Sequence, residues 1–108
     1  MRKMPPAAAR PRLEQADDTV RVSGDLTFAT VTALLRDSRP LLAAGKPRLQ
    51  FDLTDVGHAD SAGLALLVEW LRNARAAGVE LAFQAVPDQL LAIARASGVD
   101  KLLPLQQV

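Results

Sequence analysis

Three segments of the chain, "TVRVSG", "RLQFDL" and "VELAF", place an apolar side chain at every second position. Each precedes a stretch whose apolar residues recur at three- and four-residue intervals. The first period belongs to a half-buried strand and the second to a helix with one buried stripe. A chain that alternates them builds strand-helix-strand crossovers, which join parallel strands and are right-handed almost without exception. The expectation is therefore an α/β fold, a small mixed sheet of four to five strands covered by about three to four helices.

The elements follow in the order β-β-α-β-α-β-α. Arg12 to Gln15 and Thr19 to Val22 are extended candidates joined by the turn pair Asp17-Asp18, which predicts a hairpin. Phe28, Val31, Leu34, Leu35, Leu41 and Leu42 approximate one helical stripe, with Asp25 or Thr27 as cap and Gly45 as stop; Pro40 should end or kink this helix. Leu49, Phe51 and Leu53 define the next strand, entered at Lys46-Pro47, and "TDVGHA" is expected to be a loop. Leu64, Leu67, Val68, Leu71 and Ala74 form the stripe of a second helix that stops at Gly78. Val79, Leu81 and Phe83 mark another strand, and Pro87-Asp88 opens a short helix, Leu90 to Ser97, closed by Gly98. A last short strand is expected at Lys101 to Leu103.

With 108 residues, the length is that of one domain, expected over 12–108. Residues 1–11 are expected to form a basic, proline-stiffened tail, since "MRKMPPAAARPR" holds four basic residues, three prolines and no acid. Its "AAA" is too short for the apolar part of a signal peptide, and the functional alternative is a tether to anionic lipid or to a partner's acidic patch. Hydrophobic residues at 49% and charged residues at 23% fit a globular protein. A formal net charge of +1 gives no reason to expect nucleic acid. Cysteine is absent, so disulfides and thiolate metal sites are excluded. No run of 18 residues lacks a charge, so no membrane span is expected.

Catalytic apparatus is hard to assemble from this sequence. His58 is its only histidine, which rules out a two-histidine metal site. Neither G-x-x-x-x-G-K-[ST] nor G-x-G-x-x-G occurs. Ser61 as a nucleophile activated by His58 would demand useful geometry from residues three apart across a loop-to-helix junction, which such junctions rarely supply. No catalytic residue, metal or cofactor is assigned, and His58 is read as a plain loop residue.

The stretch "ADSAGLALL" is instead a helix entry, at which either Asp60 or Ser61 accepts hydrogen bonds from first-turn amides. A cap accounts for one acceptor; it does not account for two, followed by Ala62 and Gly63 in a turn that gains nothing from glycine. Small residues here suit close approach by another surface, and the Ser61 hydroxyl lies at the positive end of the helix dipole, where a phosphate is tolerated. At about 100° per residue, Ala62, Leu66 and Trp70 fall beside the core stripe. They either widen the buried arc or form an exposed binding face, with the chain's one tryptophan as its anchor. The exposure of Trp70 separates the two.

Together, "VRVSGDLTFATV", "LQFDLTDV", "ADSAGLALL" and "LLAIARASGVDKLLPL" resemble the STAS domain family over about residues 12 to 104. In that family an acidic residue and then a serine or threonine open the helix after the third strand. The resemblance carries these roles to Asp60 and Ser61, with Gly63 and Leu64 completing the turn. In anti-sigma factor antagonists this hydroxyl is phosphorylated, which makes Ser61 a candidate phosphorylation site. Ala62 followed by "GLALL" is more similar to the small STAS proteins of the Mla system. That resemblance implies a non-catalytic cytoplasmic subunit, bound to the ATPase of an ABC phospholipid transporter and through it to the permease at the inner membrane. Its expected contact face is Asp60, Ser61, Ala62, Leu66, Glu69 and Trp70; weak self-association is compatible with it. The alternative implied is an anti-sigma factor antagonist switched by phosphorylation of Ser61.

Overall fold

The computed structural model describes residues 11–106. Strands β1 (Arg12–Ala16) and β2 (Thr19–Leu26) form the expected hairpin, followed by α1 (Val31–Leu42), β3 (Arg48–Ala59), α2 (Ser61–Ala76), β4 (Glu80–Gln84), α3 (Asp88–Ala96) and β5 (Leu105–Gln106). The basic tail expected at 1–11 lies almost wholly outside the described residues.

The sheet is ordered β1-β2-β3-β4-β5. β1 runs antiparallel to β2, in register Leu13 to Val22, and the remaining neighbours are parallel. Because strand order follows chain order without a reversal, successive right-handed crossovers lay all three helices on the same face. Burial follows: Val20, Val22, Leu49, Phe51, Leu53, Leu81 and Phe83 point into the helical layer and are buried. Thr19, Arg21, Ser23, Gln50, Asp52 and Gln84 alternate with them on the polar opposite face, where the Gln50 side chain donates to that of Gln84. No reversal also means none of the crevice that opens where strand order switches, the usual ligand position in open α/β sheets.

Three expectations are corrected. "TDVGHA" belongs to β3, not to a loop: Asp55, Val56 and Ala59 pair with Ser23, Gly24 and Leu26 across two register shifts, at each of which β3 advances three residues against two in β2. The apolar alternation breaks after Leu53 because each shift adds a residue to β3, so its inward positions become Leu53, Val56 and Ala59, with Val56 packed against the core and Ala59 buried in it. α1 begins at Val31 with Thr30 at its cap position, so neither Asp25 nor Thr27 caps it and Phe28 falls outside the helix. The Thr30 hydroxyl donates to the Asp25 carbonyl at 2.6 Å and accepts from the Thr27 amide at 3.0 Å, which keeps this turn from continuing the helix inward. Pro40 sits inside the last turn of α1, two residues before its end, where its missing amide deprives only the carbonyl of the exposed Arg36 of a helical donor. The last strand lies at Leu105–Gln106, after a 3-10 turn at Asp100–Leu102, because the Pro104 carbonyl accepts the Phe83 amide at 2.8 Å and starts the pairing there.

α2 is the middle helix, flanked by α1 and α3, and it buries a wider arc than one stripe: Leu64, Leu66, Leu67, Trp70 and Ala74 are buried, while Val68 and Leu71 are half-buried. Trp70 is fully buried and meets Phe51 edge-on with ring centroids 4.8 Å apart. Of the two alternatives for Trp70 the buried one holds: it widens the core arc, and it is not a residue of the expected contact face. A helix wedged between two others has little free surface at Trp70's angle, and sequence spacing does not reveal which helix is central.

Candidate docking face at the entry of the second helix

Two aspartates exchange backbone hydrogen bonds across the ends of β2 and β3. Asp25, at the end of β2, accepts the His58 amide on Oδ1 at 2.9 Å. Asp60, just past β3, accepts the Phe28 amide on Oδ2 at 3.2 Å, and its own amide donates to the Leu26 carbonyl at 3.1 Å. The loop leading to α1 and the entry of α2 are thereby joined in both directions.

Asp60 also resolves the capping ambiguity. It is the N-cap, extended at φ −131°, and its Oδ1 accepts the Ala62 amide at 2.8 Å. Ser61 is the first helical residue, and with the cap supplied by its neighbour it is exposed. Its hydroxyl stands at the positive end of α2, open to a partner or to modification.

Gly63 has a different purpose from the one expected. A Cβ there would lie 2.6 Å from the Leu26 carbonyl oxygen and 3.0 Å from the Leu26 Cβ, so the glycine lets α2 press onto the end of β2. The close approach is made by the chain itself. Leu64 is buried in the core beside it.

On the outer side, the first turns of α1 and α2 enclose an open apolar groove of about 400 Å³, lined by Phe28, Val31, Thr32, Leu35, Ala62, Ala65, Leu66 and Glu69. Leu66 is only 3% exposed and forms its floor; Glu69 is half-buried and meets Arg72 at 3.3 Å. Phe28 is 86% exposed at its rim. Of the expected face, Ala62, Leu66 and Glu69 line this groove, Asp60 reaches its rim through the Phe28 amide, Ser61 is exposed at the helix start, and Trp70 lies in the core instead. Phe28, Val31 and Leu35, expected in one helical stripe, join the groove from α1 and its approach. The available signal was the sequence Leu26-Thr27-Phe28, where Thr27 and Thr30 are both turn formers and leave Phe28 between strand and helix.

His58 is exposed, and only its backbone amide is engaged in the aspartate exchange. Among the described residues no cluster of three or more histidines and acids is placed to hold a metal, and no helix is long and apolar enough to cross a membrane.

A sequential α/β sheet backed on one face by helices, with an acid and a hydroxyl opening the middle helix, defines a small class of single-sheet α/β domains. The chain belongs to the STAS domain family, through the model described as "Mlab, STAS domain", which matches residues 9–104. Among solved structures it is similar to an anti-sigma factor antagonist from Mycobacterium paratuberculosis, at 25% identity and a TM-score of 0.73, covering 91% of this chain and 85% of the other. A putative anti-sigma factor antagonist from Thermotoga maritima gives 17% identity and 0.73, covering 91% and 86%. The Bacillus cell fate determinant SpoIIAA in its phosphorylated form gives 16% and 0.63, covering 90% and 91%. The last two likenesses bear on fold alone.

Proposed function

We propose that this chain is a non-catalytic accessory subunit, cytoplasmic and peripheral to the inner membrane, which docks on the ATPase of an ABC-type phospholipid transporter. The observation that carries the reading is the exposed Ser61 beside an apolar groove rimmed by Phe28, in a chain matched by the Mla-type family model. An apolar floor with an exposed aromatic at the rim and polar groups around it is the make-up of a protein contact, in which a few large side chains carry most of the energy. Binding there stabilises the assembled ATPase by mass action, since the subunit adds its interface only to the assembled form. In this role the protein serves the lipid asymmetry of a Gram-negative outer membrane.

A second reading shares the face and changes the partner. Ser61 at the first position of α2, together with the likeness to an anti-sigma factor antagonist at 25% identity, supports a switch in which a kinase phosphorylates Ser61. The phosphate would bring about −1.5 to −2 charges to a surface that already holds Asp60.

Purification of the tagged protein from detergent-solubilised membranes of its host, with Ser61→Arg as control, separates the two. Recovery of an ABC ATPase and its permease with the wild type alone is the expected result. Recovery of a soluble kinase, with an intact-mass shift localised to Ser61, would replace the first reading by the second.

A further inference from the structure

Phe28 is held by very little of its own packing. The residue is 86% exposed, and it stands in the turn between β2 and α1, where the neighbouring Thr27 and Thr30 satisfy each other. Its amide reaches outside this turn to Asp60 Oδ2, 32 residues away in sequence. The same carboxylate gives its other oxygen to the Ala62 amide. One acceptor oxygen suffices for a helix cap, and asparagine, serine or threonine would each provide it. An ionised carboxylate provides two, and here the second is spent on Phe28.

We propose that Asp60 is a positioning residue for the docking face: through Oδ2 it fixes Phe28 at the rim of the groove, while Oδ1 caps α2. Cap and anchor backbone then form one unit, so a partner meets the Phe28 backbone already tied to the entry of α2 rather than having to order it on contact. The inference rests on the reading of this face as a docking surface, and it adds to that reading which residue pre-orders its anchor.

Asp60→Asn tests it, because asparagine keeps the cap acceptor and lacks a second carboxylate oxygen. In the full ¹⁵N-labelled chain, amide hydrogen exchange at Phe28 should accelerate by roughly tenfold or more, as for loss of a bond to a charged acceptor, with Ala62 still protected. Asp60→Ala should release both amides. Unchanged exchange at Phe28 in Asp60→Asn would overturn the proposal. Binding to the purified transporter ATPase supplies a readout that a purely structural role would leave additive. Asp60→Asn should weaken it by roughly two- to tenfold, less than Phe28→Ala because the ring is still there to bind, and the double variant should be no weaker than Phe28→Ala. Additive losses would also overturn the proposal. Absence of binding by the wild type would overturn the docking reading instead, and the exchange rates of the isolated chain would still decide the role of Asp60.

Discussion

The Trp70 indole Nε1 donates to the Ser38 hydroxyl at 2.8 Å, and that hydroxyl in turn donates a hydrogen bond to the Leu35 carbonyl at 2.8 Å. Both side chains are fully buried, so the bond joins α2 to α1 where no water is at hand. A tryptophan can enter a core only if its N–H finds an acceptor, and Ser38 is the polar residue that admits it. Ser38→Ala leaves the indole donor unpaired and should cost about 1–3 kcal/mol in urea unfolding. In a Trp70→Phe background the same substitution should cost much less, since the orphaned donor is gone. Emission from Trp70, the chain's one tryptophan, should be blue-shifted in the native protein and move to the red on unfolding.

Gly63 is the position where helix propensity and packing oppose each other. Alanine would favour α2 by about 0.8–1.0 kcal/mol as a helix former. Its Cβ would meet a backbone carbonyl at 2.6 Å, and backbone cannot step aside as a side chain tip can. Overpacking of this kind costs about 1–3 kcal/mol, so Gly63→Ala should lower stability, read as a reduced midpoint in thermal unfolding. An unchanged or raised midpoint would mean that α2 does not press onto Leu26 as described.

How much of this was legible in the sequence depended on whether one periodicity decided the question. Leu49, Phe51 and Leu53 gave a strand because one face meets helices and the other water, and the hairpin of β1 and β2 followed from Asp17-Asp18. The outer half of β3 was not legible, since two register shifts turn its inward period from two to three, at Leu53, Val56 and Ala59, and the residues between are held by pairing with β2 and by the Asp25 carboxylate. Asp60 and Ser61 were placed at the helix entry by residue type, but which of them caps is a matter of atomic geometry. Phe28 and Trp70 exchanged places: helical spacing assigned the first to the core and left the second at its margin. What decides them is lateral, namely that α2 lies between two helices and that α1 starts only at Val31.

Ala85, between β4 and α3, has φ +58°, in the left-handed region where a Cβ crowds the backbone. Glycine adopts this conformation freely, at the expense of more entropy in the unfolded chain. Relief of the strain is the larger effect, so Ala85→Gly should stabilise the domain by up to about 1 kcal/mol in urea unfolding. Asp17, at φ +55°, sits in the hairpin turn, where aspartate tolerates the same conformation better than alanine does. A loss of stability in Ala85→Gly would show that this junction is not strained.

Phe28 offers a separation of function from stability that the core aromatics do not. The residue is 86% exposed, so Phe28→Ala should change unfolding free energy by no more than about 0.5 kcal/mol. As the aromatic at the rim of the groove it should nonetheless dominate docking, with a loss of about 2 kcal/mol or more, roughly thirtyfold in affinity for the transporter ATPase. Ser38→Ala provides the converse, a destabilised chain whose surface side chains are unaltered and whose affinity, measured well below its unfolding midpoint, should stay near wild type. Isothermal titration of both variants against the same ATPase would compare them directly. Equal affinity of Phe28→Ala and wild type would move the contact away from the groove, towards Ser61 alone, because Ser61 shares the helix entry with Asp60 but does not depend on the rim.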